Sequence, residues 1–427
     1  MRGFISFITV CCILIPLLSA CDAREVDDMA FVLAIGIDKG VTDKWRITVQ
    51  FPTMQGQTGG GGSMAAGGGQ GPQGYSTVTV DSPSFYIGMD MLDTLVPRRI
   101  SFEHTEYIVM SEELARSGLA GEYLGPIVRF REIRRNTHLL VSRCTAMEFL
   151  KANQPLMGTT LSKMMKDMIK ESTDTGFIPY VTLNDFYEST KSTYSQPITI
   201  LASVNNGENL KEKDGNKTDG LNAEEAEGNY YAGDIPKRGG AKLELFGAAV
   251  FDGDTMVGEL TGEETRLTLM VRGEFRRGRM AVQDPKSPGF VVSLDVRQIG
   301  KPEVKVRFED GNPIIDVRLN LAGDILAVQS RINYESRELK PVIEKKFENY
   351  IKTSLDKLMD KCKAMKADVF KFGYKASWRF PTIQEWEDYN WIARFDKAQV
   401  NTEVKFVIRR SGTMMRSSPI IGAKGKE

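Results

Sequence analysis

The apolar positions of this chain follow three rhythms, and each predicts a different kind of element. The first is a dense run. Phe4 to Leu18 is a largely apolar stretch of 15 residues, shorter than the roughly 20 that a membrane-spanning helix requires. Arg2 ahead of it and the small-residue exit Ser19-Ala20-Cys21 behind it complete the parts of a secretory signal, so residues 1–20 are expected to be an address cleaved from the mature protein. The second rhythm is alternation. Met29 to Ile37 is nearly all apolar, Asp38-Lys39-Gly40 reads as a turn, and Trp45, Ile47, Val49 and Phe51 then alternate with polar residues, which predicts a hairpin. Tyr75–Val80, Glu106–Met110, Thr137–Val141 and Pro197–Ala202 read as further strands. The third rhythm has the spacing of a helix. It covers 83–96, with Phe85, Met89, Met91, Leu92 and Leu95 largely on one face, then 122–134 and 160–171. Ser111 reads as an N-cap followed by Glu112 and Glu113, and Thr145 with Glu148 forms a capping box. Helices and strands interleave, so this region is mixed α and β.

Two stretches break the pattern. Residues 54–75 hold ten glycines and scarcely an apolar anchor, which reads as a mobile excursion between strands. The next element, Tyr75–Val80, is a strand with no lysine nearby, whereas a phosphate-binding loop needs a helix there, so nucleotide binding is not indicated. Asn205 to Gly240 is rich in Asn, Gly, Glu and Lys and reads as a linker or exposed loop. Beyond it strands dominate: Lys242–Phe251, Thr255–Leu260, Phe290–Val296, then Val304–Phe308 and Ile315–Leu321 as a hairpin across Glu309-Asp-Gly-Asn-Pro313. The strongest helix opens near Pro341. It carries Ile343, Phe347, Ile351, Leu355, Leu358, Cys362, Met365 and Val369 at intervals of three or four residues through about Phe370, and Gly373 is expected to end it. Thr402–Arg409 alternates as a closing strand. The fold class expected is a multi-domain α+β protein of two or three modules, with mixed or antiparallel sheets and packed helices after a cleaved lipoprotein signal peptide. The expected units are 21–204 and 241–415, joined by 205–240, with a further division of the second into 241–300 and 301–415 left open.

Charge narrows the function classes. Lys plus Arg equals Asp plus Glu, 56 against 56, which removes the broad basic field that nucleic-acid binding needs. Nucleic acid is not an expected partner. Only His104 and His138 are available for imidazole chemistry, a thin supply for a metal site. No G-x-S-x-G elbow or H-E-x-x-H stretch occurs. No catalytic, metal or cofactor-binding residue is therefore assigned. His104 reads as a structural residue. Arg129, Arg131, Arg134 and Arg135 read as a solvated or ion-paired surface, as do Lys345, Lys346, Lys352, Lys357, Lys361, Lys363 and Lys366 among their acidic neighbours; anionic lipid headgroups are the sharper alternative for the lysines.

One residue does carry a chemical expectation. Leu18-Ser19-Ala20-Cys21 matches the bacterial lipobox, in which the cysteine thiol receives a diacylglyceryl group and is then freed as the N-terminus by cleavage just ahead of it. Cys21 would then be an S-diacylglycerol cysteine whose new amino terminus can take a further palmitoyl chain. A plain signal peptide or an uncleaved anchor would leave Cys21 incidental, but its position at the end of an apolar run of the right length favours lipidation. At about 0.8 kcal/mol per buried methylene one acyl chain holds weakly, whereas two anchor stably. Cys11 and Cys12 leave with the signal, so the body keeps Cys144 and Cys362. Two thiols in a long exported chain make no disulfide scaffold; a single bridge between them is left open, and packed thiols are the better expectation.

Several stretches carry a family resemblance. Arg24-Glu25 through Gly36-Ile-Asp38, following Cys21, resembles the opening of the spore germination lipoproteins of the Ger(x)C family, the C subunits of nutrient germinant receptors; Asp22 and Ala23 depart from its usual aromatic and basic residues. Arg99-Ile-Ser-Phe-Glu-His104, Tyr107 to Ala115, Phe246 to Phe251, Asp368-Val-Phe-Lys-Phe-Gly373, Trp386 and Val404 to Gly412 are similar to later parts of that family, in order. Residues 54–75 and 205–240 look like insertions. The resemblance implies a three-module α+β lipoprotein on the outer face of the spore inner membrane. It implies work with a polytopic A subunit and a transporter-like B subunit, and no known enzymatic activity. The rival expectation is a lipoprotein that captures a small nutrient at the outer membrane face, in a cleft between domains lined by convergent polar groups.

Overall fold

The structure, a computed structural model, describes residues 28–52, 75–154, 161–208 and 228–410, with a few isolated positions beyond these. The expected signal 1–20, Cys21 and the glycine-rich stretch up to residue 74 lie outside the described residues, as does the middle of the polar stretch 205–240.

Ten strands come first: β1 (Met29–Phe31), β2 (Ala34–Lys39), β3 (Trp45–Pro52), β4 (Tyr75–Ser82), β5 (Arg99–Ser101), β6 (Tyr107–Ser111), β7 (His138–Ser142), β8 (Ile198–Val204), β9 (Leu243–Asp252) and β10 (Thr255–Leu260). Eight of them form one sheet in the order β10-β9-β8-β7-β6-β2-β3-β4, while β1 and β5 pair separately. The centre, β2-β6-β7-β8, is parallel, and the flanks are antiparallel. Parallel strands need helices on both faces, and the sequence supplies them. These are α1 (Phe85–Leu95), α2 (Glu112–Ala115), α3 (Ala120–Arg129), α4 (Ala146–Ala152), α5 (Leu161–Thr175) and α6 (Leu183–Thr190). Period-two alternation sorts the strand residues between two cores. Ile35, Ile47, Ile108, Leu139 and Leu201 meet α1, α3 and α6. Ala34, Tyr107, Val109, Leu140 and Ile200 meet α4 and α5.

After α7 (Gly262–Arg272), a second sheet is built from β11 (Arg277–Gln283), β12 (Val291–Gln298), β13 (Glu303–Glu309), β14 (Asn312–Val328) and β15 (Gln399–Arg410). The long β14 is its spine: its first half pairs with β13, its second with β12, and its other edge with β15 in parallel. The expected β13–β14 hairpin is present, turning at Asp310 and Gly311 with φ of 49° and 75°, the left-handed pair that suits the strand twist. Helix α8 (Lys340–Ala364) covers this sheet, with Phe347 stacked on Phe406 at 4.9 Å. Short helices α9 (Phe372–Ala376), α10 (Ile383–Tyr389) and α11 (Trp391–Arg394) lead back to β15.

The two sheets share a core. Ile198, Ala248, Val250 and Leu260 of the first, Leu267 and Met270 of α7, and the inward residues of the second sheet and α8 form one buried cluster. The polar break at 205–240 therefore does not separate the sheets: β9 and β10 lie beyond it, yet they extend the first sheet, β9 pairing with β8 and β10 with β9. Nor does residue 300 divide two packing units, because β12 and β13 both bond to β14.

Four local expectations change. Asp38, read as part of a turn, lies near the end of β2 and is buried. Its carboxylate accepts the Ala146 and Met147 N–H groups at 2.8 and 3.1 Å, capping α4. Helix α1 buries Phe85, Gly88, Met89 and Leu92 but exposes Met91 and Leu95. Gly88 sets this rotation: a Cβ there would lie 2.6 Å from Ile47 Cδ1, so the helix seats its glycine side on the sheet. Helix α8 stops at Ala364 rather than Phe370, and Lys366 turns left-handed at φ 53°. Gly373 is not its terminator but sits inside α9, where a Cβ would come within 2.3 Å of Tyr194 O.

The cause of that early stop is Asp368. Fully buried, it accepts N–H groups from Phe370 and Phe372 at Oδ1 and from Gly373 and Trp391 Nε1 at Oδ2, at 2.8–3.2 Å. A continued helix would commit those amides elsewhere. Burial raises the Asp368 pKa against the lowering effect of these bonds. Its own N–H donates to Gln196 Oε1 at 2.8 Å, tying the segment to the chain leading into β8. Asp368→Ala is expected to lower the unfolding free energy by about 4 kcal/mol or more, because four buried donors lose their acceptor and each costs roughly 1–3 kcal/mol. Asp368→Asn, which keeps an acceptor oxygen, should cost less, and urea unfolding of both variants checks the ranking.

Candidate functional site

The residues singled out in the sequence do not converge. His104 is exposed, its ring edge-on to Phe31 at 4.7 Å. His138 opens β7 elsewhere, half-buried, with Nδ1 3.2 Å from Val181 O and its ring against Tyr180. Cys144 and Cys362 are both free thiols. Burial raises the pKa of each, the opposite of the depressed value a thiolate nucleophile needs. No group of three or more His, Cys, Asp or Glu residues able to hold a metal ion occurs among the described residues.

The basic clusters also resolve. On α8, Lys345, Lys352 and Lys363 pair with Glu348, Asp356 and Asp360, while Lys361 turns inward to Glu264 of α7 at 2.6 Å. This is the ion-paired face expected of interspersed charges, and exposed pairs of this kind contribute little stability. Arg129 ends α3, with Arg131, Arg134 and Arg135 exposed in the turns beyond it.

One concave feature stands out. A cleft of about 920 Å³ opens where β7 and β8 begin, between α5 and α6 on one side and α7 with Glu274 and Lys371 on the other. Sequence patterning misses this wall, because α7 is buried nearly all round and shows no amphipathic stripe. The usable signals were local: Thr261 and Glu264 form a capping box, and Gly273 ends the helix at φ 71°. Arg272 is buried in the wall. Its Nε donates to Val369 O at 2.6 Å, and its guanidinium lies 3.7 Å from Glu274, which also pairs with Lys371 at 2.9 Å. Burial works to raise the Glu274 pKa, but Arg272 and Lys371 outweigh it and hold the carboxyl below its usual range. Much of the wall's charge is thus neutralised within the wall.

The described body starts at β1. Met29 of β1 pairs with Arg99 of β5, and the Ile100 N–H donates to Asp93 of α1 at 3.0 Å. The entry of the chain is therefore fastened beside the C-terminal end of α1.

The fold and its surface define a mixed α+β body of two sheets around a shared core, and no described helix is long and apolar enough to cross a membrane. The chain belongs to the spore germination protein family of the GerAC type: the model for the spore germination protein N-terminal domain matches residues 22–204, and that for the spore germination B3/GerAC-like C-terminal domain matches residues 246–412. It is similar to the putative spore germination protein YfkR of Bacillus subtilis (strain 168), 24% identical over 94% of this chain and 95% of that protein. It is also similar to spore germination protein KC of the same organism, 23% identical over 93% of each. The crystal structure of the GerBC protein shares the fold, with a TM-score of 0.52 and 15% identity over 88% of this chain and 96% of that one.

Burial lowers the His138 pKa, countered in part by the Val181 carbonyl. The folded protein then takes up this proton at a lower pH than the unfolded chain, so stability should fall as pH drops below about 6.5, the unperturbed value for histidine. Denaturation at pH 7.5 and 5.5 is expected to show a smaller loss for His138→Gln than for the parent protein.

Proposed function

We propose that this chain is the noncatalytic C subunit of a nutrient germinant receptor, anchored by lipid on Cys21 at the outer face of the spore inner membrane. There it assembles with a polytopic A subunit and a transporter-like B subunit. The observation that carries this reading is the order of parts: an apolar leader, a lipobox ending at Cys21, then the N-terminal family match from residue 22 and the C-terminal match to 412. Relatives named as spore germination proteins KC and B3 align over most of their length, which supports a role in germination for the whole body. The noncatalytic reading is supported by thiols whose pKa values are raised and histidines that stand apart.

The second reading, capture of a small nutrient, is favoured by the cleft beside His138. Its internally paired ions make it the weaker of the two, because a ligand's charge would have to displace partners already at 2.9–3.7 Å. Calorimetric titration with amino acids and sugars is expected to give no heat of binding; saturable heat abolished by Arg272→Ala would favour capture.

Cys21→Ala is expected to release the protein from spore membranes, to abolish its co-purification with the other receptor subunits and to impair nutrient-triggered germination. Mass spectrometry of the parent should find Cys21 as the first residue, carrying the diacylglyceryl mass. A membrane-bound, fully active variant would refute the anchor.

A further inference from the structure

Helix α1 has a second apolar face, turned to solvent. Ile87, Met91 and Leu95 recur every four residues and are 46%, 38% and 58% exposed, with Tyr86 beside them at 46%. The rotation of the helix is fixed by Gly88, so this stripe faces outward by construction. Its surroundings are basic. Arg98 and Arg99 are exposed just past its C-terminal end. At the other end the Tyr86 ring lies 6.0 Å from Phe130, which exposed Arg129 and Arg131 flank in sequence. The helix itself carries two exposed acids, Asp90 and Asp93, the latter accepting the Ile100 N–H. An exposed apolar helix face with arginines beyond both of its ends suits contact with a membrane interface, where such a face sinks roughly 5–10 Å into the headgroup and acyl boundary.

We infer that this face of α1 rests on the anionic surface of the bilayer and sets the orientation of the body above it. The inference rests on the proposed anchor at Cys21 and deepens it. The occupant is identified by chain length and by charge. Six residues lie between Cys21 and Asp28, a reach of at most about 25 Å over the seven steps, and Met29 is held against Arg99, four residues beyond Leu95. A lipid-bound Cys21 therefore keeps the C-terminal end of the stripe within one short tether of the headgroups. Arginines near such a surface are attracted by anionic lipid, and α1, about 16 Å long, can lie along it.

The test uses the full lipidated chain in a Cys144→Ser background, reconstituted into phosphatidylcholine vesicles with and without phosphatidylglycerol. A single cysteine is introduced by Ile87→Cys, by Leu95→Cys or, on β15 of the second sheet, by Val407→Cys, and labelled with an environment-sensitive fluorophore. All three positions are exposed, at 46%, 58% and 50%, so the substitutions leave the core intact. Labels at 87 and 95 are expected to be quenched roughly fivefold less by an aqueous quencher on phosphatidylglycerol vesicles than in detergent, with the label at 407 unchanged. Protein that floats with the vesicles but shows equal quenching at all three positions keeps the anchor and overturns the docking face. Protein that fails to float and carries an unmodified Cys21 overturns both. Protection at 87 and 95 that appears only in membranes containing the other receptor subunits assigns the face to a protein partner and overturns the lipid assignment.

Discussion

The structure depends on the burial of one seam from both sides. Strands β8 to β10 finish the first sheet, and their inward residues Ile198, Ala248, Val250 and Leu260 are also part of the core of the second. Helix α7 passes between, so deeply buried that Thr265, Arg266 and Thr268 lie inside with its leucines. A polar residue in that position must find its partners within the protein. Thr265 and Thr268 donate back to carbonyls of their own helix cap and first turn, and Arg266 donates to the Thr175 and Arg279 carbonyls, one on each side of the seam. The seam is thus held by hydrophobic area and aimed by a few obligatory hydrogen bonds.

The same constraint commits several ionisable residues to the architecture. Asp38 is engaged in capping α4, Asp368 in holding four donors past the end of α8, and Glu263 in accepting from the Tyr350 hydroxyl. In the cleft, Arg272, Glu274 and Lys371 satisfy one another. These acids and bases are committed to the architecture of the body itself. The membrane supplies position through Cys21 under the proposed reading, and the folded domains supply surfaces.

Much of the fold was legible because its rhythms are local. The β2–β3 hairpin, the Thr145 capping box, the β13–β14 turn at Asp310-Gly311 and the stripe from Ile343 to Cys362 each arise from residues close together in sequence. What was not legible depends on distant partners. Nothing near Asp368 announces that four donors will gather on it, one of them the indole of Trp391. The stripe running on to Met365 and Val369 therefore reads as more helix. Met91 and Leu95 read as core because a periodicity gives a stripe but not its phase; Gly88 against Ile47 supplies the phase. The candidate cleft was invisible, since one of its walls is the all-round-buried α7.

By itself the sequence determined the α+β class and most of the strands, because these depend on spacing and composition along a short window. Only the tertiary structure decided that strands on both sides of the polar stretch belong to one sheet, that two sheets share a core, and which face of α1 looks outward. Those outcomes rest on contacts between residues far apart in the chain, and no local pattern encodes which distant surface a buried side chain will meet.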